Sequence, residues 1–244
     1  MKAARVLKAL GPIDALSAVR DPMLRWMLAM PVLLGLAVRW GLPPVGRWLE
    51  LRFQVSIAEY YPLLGSFLSV TAPTIYGAVI GFLLLEQRDD GTLTALQVTP
   101  LTARGYAVWR IAGPMLGSVV GGLVALRLAG IPGPGFPGQL LAAVAAAPLA
   151  PAWALFLPAF AANKVQGFAL IKAAGVLNWP PLIAWFVPMG TRRLFGLCPT
   201  YWPVEVYWEL AAGRSALLPL VVGSLYIGAT VFLLLRRFER VSRG

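Results

Sequence analysis

Six apolar runs dominate this chain, at residues 23 to 42, 62 to 85, 106 to 129, 139 to 160, 168 to 189 and 215 to 235. Each is close to the roughly 20 residues that a helix needs to cross a hydrocarbon layer about 30 Å thick. In hydrocarbon every backbone N–H and C=O must be paired inside the protein, so runs of this length and composition read as helices. The expectation is an all-α integral membrane protein with six transmembrane helices, residues 23–235 forming one transmembrane domain. Only 13% of the 244 residues are charged, about half the share in a soluble domain, and the runs leave no room for one.

The flanks set the topology. Lys2, Arg5 and Lys8 open the chain, but the apolar run begins only at Met23 and no small-residue cleavage site follows it, so a cleaved signal is not expected. Gly11 and Pro12 split residues 1–22 into two pieces, with Val6 and Leu10, then Ile13 and Leu16, on one side of each, as in an amphipathic interfacial arm. Asp21-Pro22 supplies an N-cap and a proline at the first helical position. Residues 236–244 form a basic tail. With six spans the two ends share a side, and that side collects fourteen of the 21 Lys and Arg, against seven on the other (Arg39, Arg47, Arg52, Arg127, Arg192, Arg193 and Arg214). The positive-inside rule therefore places both termini in the cytoplasm and the protein in the cell (inner) membrane. The net charge of +11 is spread over every loop, which fits topology and anionic lipid headgroups, not nucleic acid.

Much chemistry is missing. There is no histidine and the one cysteine, Cys198, can make no disulfide within the chain, so the usual zinc sites and Ser-His or Cys-His pairs are excluded. No GxxxxGK[ST] loop occurs, so ATP used by this protein would be bound on another subunit. The expectation is a non-enzyme that binds no cofactor itself. Arg39, Arg110, Arg127 and Lys172 lie within about a turn of a span end, where they can snorkel, and no carboxylate falls at mid-membrane. That argues against a proton-coupled carrier or a cation channel.

The middles of the spans hold Pro31, Pro73 with Thr71 and Thr74, Ser118, Pro148, Pro151 and the run Asn178-Trp179-Pro180-Pro181. Each proline frees a carbonyl. Asn178 and the threonines could satisfy those carbonyls. A kinked fifth span could also line a cavity for an apolar substrate, with Thr71, Thr74, Asn178, Trp179 and Trp185 along the pathway. Both readings can hold together.

Two short segments lie outside the spans. After Asp90-Gly91, residues 92–98 offer two turns of helix before Thr99-Pro100 closes them and Thr102 caps the third span. Two turns are not stable alone, so Leu93, Leu96 and Val98 need a surface, either the protein's own bundle and membrane or a docking partner. Pro203 to Ala212 reads as an outer-face helix started by its proline and ended by Gly213, with Glu205 and Glu209 on one side and Val204, Tyr207, Trp208 and Ala211 on the other. An aromatic belt at the interface and an extracellular gate are both open to it.

These residues also resemble a known family. Glu86, Gly91-Thr92-Leu93, Leu96 and Thr99-Pro100-Leu101 look like the E-x-x-x-x-GTL-x-x-L-x-x-TPL signature of the membrane permeases in type-2 ATP-binding-cassette exporters. Asp14 with Arg20-Asp21-Pro22 is similar to that family's approach to the first span. Asn163-Lys164-Val165-Gln166-Gly167 matches its NKVEG loop, with Gln166 where Glu is frequent. Pro199-Thr200-Tyr201-Trp202-Pro203-Val204, with Tyr207-Trp208, looks like the PTYWPV segment of the fluoroquinolone-export permeases.

The resemblance implies a six-span permease that pairs with itself or a close paralogue and binds two ATPase subunits, which carry the ATP and Mg. It implies a coupling helix at about 90–100, with Glu86, Gly91, Thr92, Leu93, Leu96, Thr99 and Pro100, and with Asn163 and Lys164 of the second motif, serving the ATPase contact. Tyr201, Trp202, Tyr207 and Trp208 would form an outer gate or interface within a segment at about 190–214. The expected cargo is a hydrophobic or amphipathic drug or lipid-like compound moved out of the cell. The alternative is an ATP-independent carrier or a structural subunit of a membrane complex.

Overall fold

The computed structural model describes residues 20–89 and 103–241, which are almost entirely helical and contain no strand. The helices are α1 (Pro22–Phe53), α2 (Tyr61–Asp89), α3 (Ala103–Ala129), α4 (Phe136–Ala146), α5 (Leu149–Phe160), α6 (Lys164–Ala174), α7 (Trp179–Ala184), α8 (Met189–Arg192), α9 (Tyr201–Ala211) and α10 (Leu217–Val241). Six stretches are long and apolar enough to cross a membrane: Pro22–Phe53, Ile57–Arg88, Ala112–Ala129, Phe136–Phe160, Lys164–Ala184 and Leu217–Val241. The expected fold class and span number hold. The arm at 1–19, the coupling segment at 90–102 and residues 242–244 lie outside the described residues.

Several boundaries move, each for a local reason. The first span was expected to stop at residue 42, but α1 runs through Pro43 and Pro44 to Phe53. A helix of that length measures about 48 Å at 1.5 Å per residue, well beyond the hydrocarbon layer. The two prolines remove donors to the carbonyls of Arg39 and Trp40, and both residues are exposed, so their carbonyls can bond elsewhere. Gln54 ends α1 in the left-handed region (φ 56°), its N–H reaching Glu50 O at 3.0 Å.

The fourth span is not continuous. Pro148 has no N–H to carry the helix on, and Ala147 N shares the Ala143 and Val144 carbonyls as the turn tightens between α4 and α5. The kink expected in the fifth span is present as a 3₁₀ turn at Gly175–Asn178, with Pro180 and Pro181 following in α7. This span ends at Ala184 instead of 189, because Phe186 N and Val187 N close short turns onto Ile183 O and Ala184 O before Pro188. The last helix runs to Val241, so most of the expected tail is helical.

α2 and α5 form the buried centre, with α1, α6–α7 and α10 at the periphery. The close approach of α2 to α5 needs small residues. A β-carbon added at Gly77 would collide with the backbone carbonyl of Ala150 and lie 2.7 Å from Trp153 Cβ, and one at Gly81 would lie 2.9 Å from Leu157 Cδ1. Gly77-Ala78-Val79-Ile80-Gly81 is thus a small-xxx-small packing face. Tyr76 ties in two more helices: its ring lies over Gly117 and Gly121 of α3, and its hydroxyl donates to Leu28 O of α1 at 3.2 Å.

Candidate functional site

Candidate functional side chains gather at the two ends of the bundle. One end, here the base, holds the start of α1, the end of α2, the end of α5 and the start of α6. The Asp21 carboxylate is split between two tasks there. Its Oδ1 accepts from Met23 N at 2.9 Å and Leu24 N at 3.3 Å, capping α1, and its Oδ2 accepts from Lys164 Nζ at 3.3 Å. Slight burial pushes the Asp21 carboxyl up, but the two backbone N–H groups and Lys164 outweigh it and hold the group below the ordinary carboxylate range.

Lys164 also lies 3.7 Å from Glu86 Oε1, in the last turns of α2. The three side chains are partly exposed, so each pair contributes only about 0–1 kcal/mol. Asn163 caps α6 by accepting from Gln166 N at 2.9 Å, and Gln166 Oε1 accepts from Ala162 N at 2.9 Å. This reciprocal cap uses only acceptor oxygens of the side chains, which a glutamate in place of Gln166 would equally supply.

Two arginines fasten the same end more firmly. Arg88 donates to Pro158 O at 2.9 Å and Ala161 O at 2.6 Å, and Arg237 of α10 donates to Ala159 O at 3.0 Å while its guanidinium lies 4.2 Å from the Phe160 ring centroid. These are the orphan carbonyls at the C-terminus of α5, where cations are favoured by the helix dipole. Of the expected coupling residues, the structure brings Glu86, Asn163 and Lys164 together, and adds Asp21, Arg88 and Arg237. Gly91, Thr92, Leu93, Leu96, Thr99 and Pro100 lie outside the described residues. The added three were readable in the sequence only as a helix start and as basic residues at span ends.

The residues expected along a substrate pathway are dispersed. Thr71 and Thr74 donate within α2 to Phe67 O and Val70 O, both at 2.8 Å. Those are not the carbonyl that Pro73 frees, which belongs to Ser69. Asn178 Oδ1 is buried without a hydrogen-bond partner. Trp179 is 61% exposed, whereas Trp185 packs inward against Trp208, ring centroids 5.2 Å apart.

At the far end α9 does not lie flat with one polar face. It is inserted against α2, α4 and α10, and Tyr201, Val204, Glu205, Val206, Tyr207 and Trp208 are all buried. Trp208 Nε1 donates to Ser66 Oγ at 2.9 Å, and the Arg192 guanidinium stacks 4.7 Å from the Trp208 ring centroid. Tyr207 fits between Gly65 and Gly133, where any β-carbon would strike its hydroxyl. Trp202 Nε1 donates to Gly196 O at 2.9 Å, and its side chain crosses α10 at Gly223.

Thr200 and Cys198 both reach Leu177 O, at 2.7 and 2.9 Å, tying α9 to the kinked span. Arg214 pairs with Glu209 at 2.7 Å and pins the end of α9. Glu205 was expected on a polar face but is 8% exposed, with Oε2 unpaired. Burial raises its carboxyl above the ordinary range, and the neighbouring Glu209 adds to the rise.

The chain matches the family described as fluoroquinolones export permease protein Rv2686c-like over residues 14–235. It is 34% identical over 239 residues to the fluoroquinolones export permease protein Rv2686c of Mycobacterium tuberculosis (strain ATCC 25618 / H37Rv), covering 96% of this chain and 94% of that one. The fluoroquinolones export permease protein MT2760 of Mycobacterium tuberculosis (strain CDC 1551 / Oshkosh) matches with the same identity and coverage. No solved structure matches.

Proposed function

This chain belongs to the Rv2686c-like family of fluoroquinolones export permeases, and from that premise we propose that it is the membrane subunit of an ATP-binding-cassette exporter. ATP and Mg are bound on separate ATPase subunits, two per transporter, and the permease pairs with a second copy or a paralogue. Both termini and residues 90–102 face the cytoplasm.

The observation that carries the ATP-driven reading is the base of the bundle. Asp21, Glu86 and Lys164 come from three motifs far apart in sequence and meet where α2 leads into residues 90–102. A segment that bears load from an ATPase needs its root fixed to several helices at once. In this reading Gly91 turns the chain, Leu93 and Leu96 fill an ATPase groove, and Thr92, Thr99 and Pro100 set the return into α3. Closure of the ATPases around ATP favours one of two packings of the spans and so shifts the population between them.

The cargo is hydrophobic or amphipathic, of the fluoroquinolone class for which the relatives are named. It passes Thr71, Thr74, Asn178, Trp179 and Trp185, with Tyr201, Trp202, Tyr207 and Trp208 closing the outer end. The exposure of Trp179 on a single chain suits a wall completed by the second permease.

The test is purification of the tagged permease in mild detergent, followed by mass spectrometry. A Walker-loop ATPase is expected to co-purify with the unmodified chain and to be lost from the Leu93→Asp/Leu96→Asp variant, at equal permease yield. Equal recovery of the ATPase with both chains would contradict the docking role of this segment.

A further inference from the structure

Lys164 and Glu86 are each on the wrong end of a helix. Lys164 is the first residue of α6, where the helix dipole repels a cation, and Glu86 lies near the C-terminal end of α2, where it repels an anion. Neither charge serves its own helix, so both are placed at a cost unless they serve each other or a third group. Lys164 faces two carboxylates at once: Asp21 Oδ2 at 3.3 Å and Glu86 Oε1 at 3.7 Å.

We propose that Lys164 is a positioning residue that exchanges between Asp21 and Glu86, relaying movement of the segment after α2 to the starts of α1 and α6. The inference rests on the reading that this segment docks an ATPase.

Three features suit exchange in preference to a fixed brace. All three side chains are partly exposed, so water can replace one partner while the other is engaged, and neither pair is strong enough to lock. The lysine ammonium is a point charge with three rotatable donors on a flexible stem, and it tolerates a change of partner that a planar arginine fork would not. Each partner is also rigidly tied to a different helix. Asp21 moves with α1 because its other oxygen caps that helix, and Lys164 moves with α6 because Asn163 beside it is the cap.

The Arg88 contacts are of another kind. Two short hydrogen bonds to Pro158 O and Ala161 O join the end of α2 to α5, so those two helix ends move together. A displacement of residues 90–102 that tilts the end of α2 carries Glu86 towards or away from Lys164. The balance between Glu86 and Asp21 then sets how closely α1 and α6 follow.

The test uses the full chain with its ATPase in inverted membrane vesicles, measuring fluoroquinolone taken up per ATP hydrolysed. This ratio does not fall merely because less protein is present. Lys164→Gln is expected to lower it about tenfold, within the range of ordinary coupling free energies, and Lys164→Arg, which keeps the charge but not the free change of partner, to recover little of it. Asp21→Asn, which keeps the cap, and Glu86→Gln are each expected to lower the ratio in the unmodified background and to lower it no further when combined with Lys164→Gln. An unchanged ratio in Lys164→Gln, or full additivity of the three substitutions, would overturn the exchange while leaving ATP-driven export standing. Uptake by the unmodified chain that needs no ATP would overturn both.

Discussion

At the scale of single residues, what a side chain can do here is decided by whether its neighbour can move. Gly77 and Gly81 lie on the same face of α2, but a β-carbon at Gly77 meets the Ala150 carbonyl, which is backbone, while one at Gly81 meets chiefly the Leu157 side chain. Alanine gains up to about 1 kcal/mol over glycine within a helix. Gly81→Ala is therefore expected to leave stability nearly unchanged, Leu157 Cδ1 moving by rotamer while Leu157 Cβ at 3.1 Å and Ala154 O at 3.2 Å give by small shifts of the helix pair. Gly77→Ala is expected to destabilise by ~2 kcal/mol, since overpacking against a fixed neighbour outweighs that gain. Unfolding of the two variants in detergent against the unmodified chain measures the difference. The four-residue spacing is plain in the sequence, but nothing there says which helix it faces. The Asp21–Lys164 pair is illegible for the same reason, since it joins residues 143 apart. The role of Asp21 as a cap could be read, because a cap is local.

At the scale of elements, the sequence carried the number and type of the spans and the kink at Asn178-Trp179-Pro180-Pro181, because length, apolarity and proline act locally. It misplaced the end of α1, because the apolar run stops at residue 42 while the helix continues through Pro43 and Pro44 into a mixed stretch with Arg47, Glu50 and Arg52 that apolarity does not register. It also assigned α9 an amphipathic surface role from Glu205 and Glu209, whereas the bundle buries Glu205 and leaves Glu209 to Arg214.

That burial has a consequence for pH. Burial in the folded state raises the Glu205 carboxyl and Glu209 adds to the rise, with the Tyr201 hydroxyl, Arg192 and Arg193 opposing. The folded protein therefore holds this proton more tightly than the unfolded chain. Its contribution to stability is fully present below the ordinary glutamate range, near 4.5, and is lost as pH rises through the higher folded value. The melting temperature of the unmodified protein is expected to fall across that interval, and that of Glu205→Gln to fall less. Parallel pH profiles for the two proteins would contradict it.

At the scale of the whole molecule, the bundle has two differently built ends around one rigid centre. The base combines firm clamps, Arg88 and Arg237 on the α5 carbonyls, with weak and exchangeable charges at Asp21, Glu86 and Lys164. At the far end α9 packs against α2, α4 and α10, with Trp208 bonded to Ser66 of α2 and Trp202 crossing Gly223 of α10. Clamped helices at one end and an inserted aromatic helix at the other suit the proposed device, in which work applied at the base opens the far end. In the proposed mechanism this work comes from ATP. In inverted vesicles containing the permease and its ATPase, fluoroquinolone uptake is expected to require ATP, to stop with vanadate and to persist when the proton gradient is collapsed. Uptake that continues without ATP, or that ceases with the gradient while ATP remains, would contradict it.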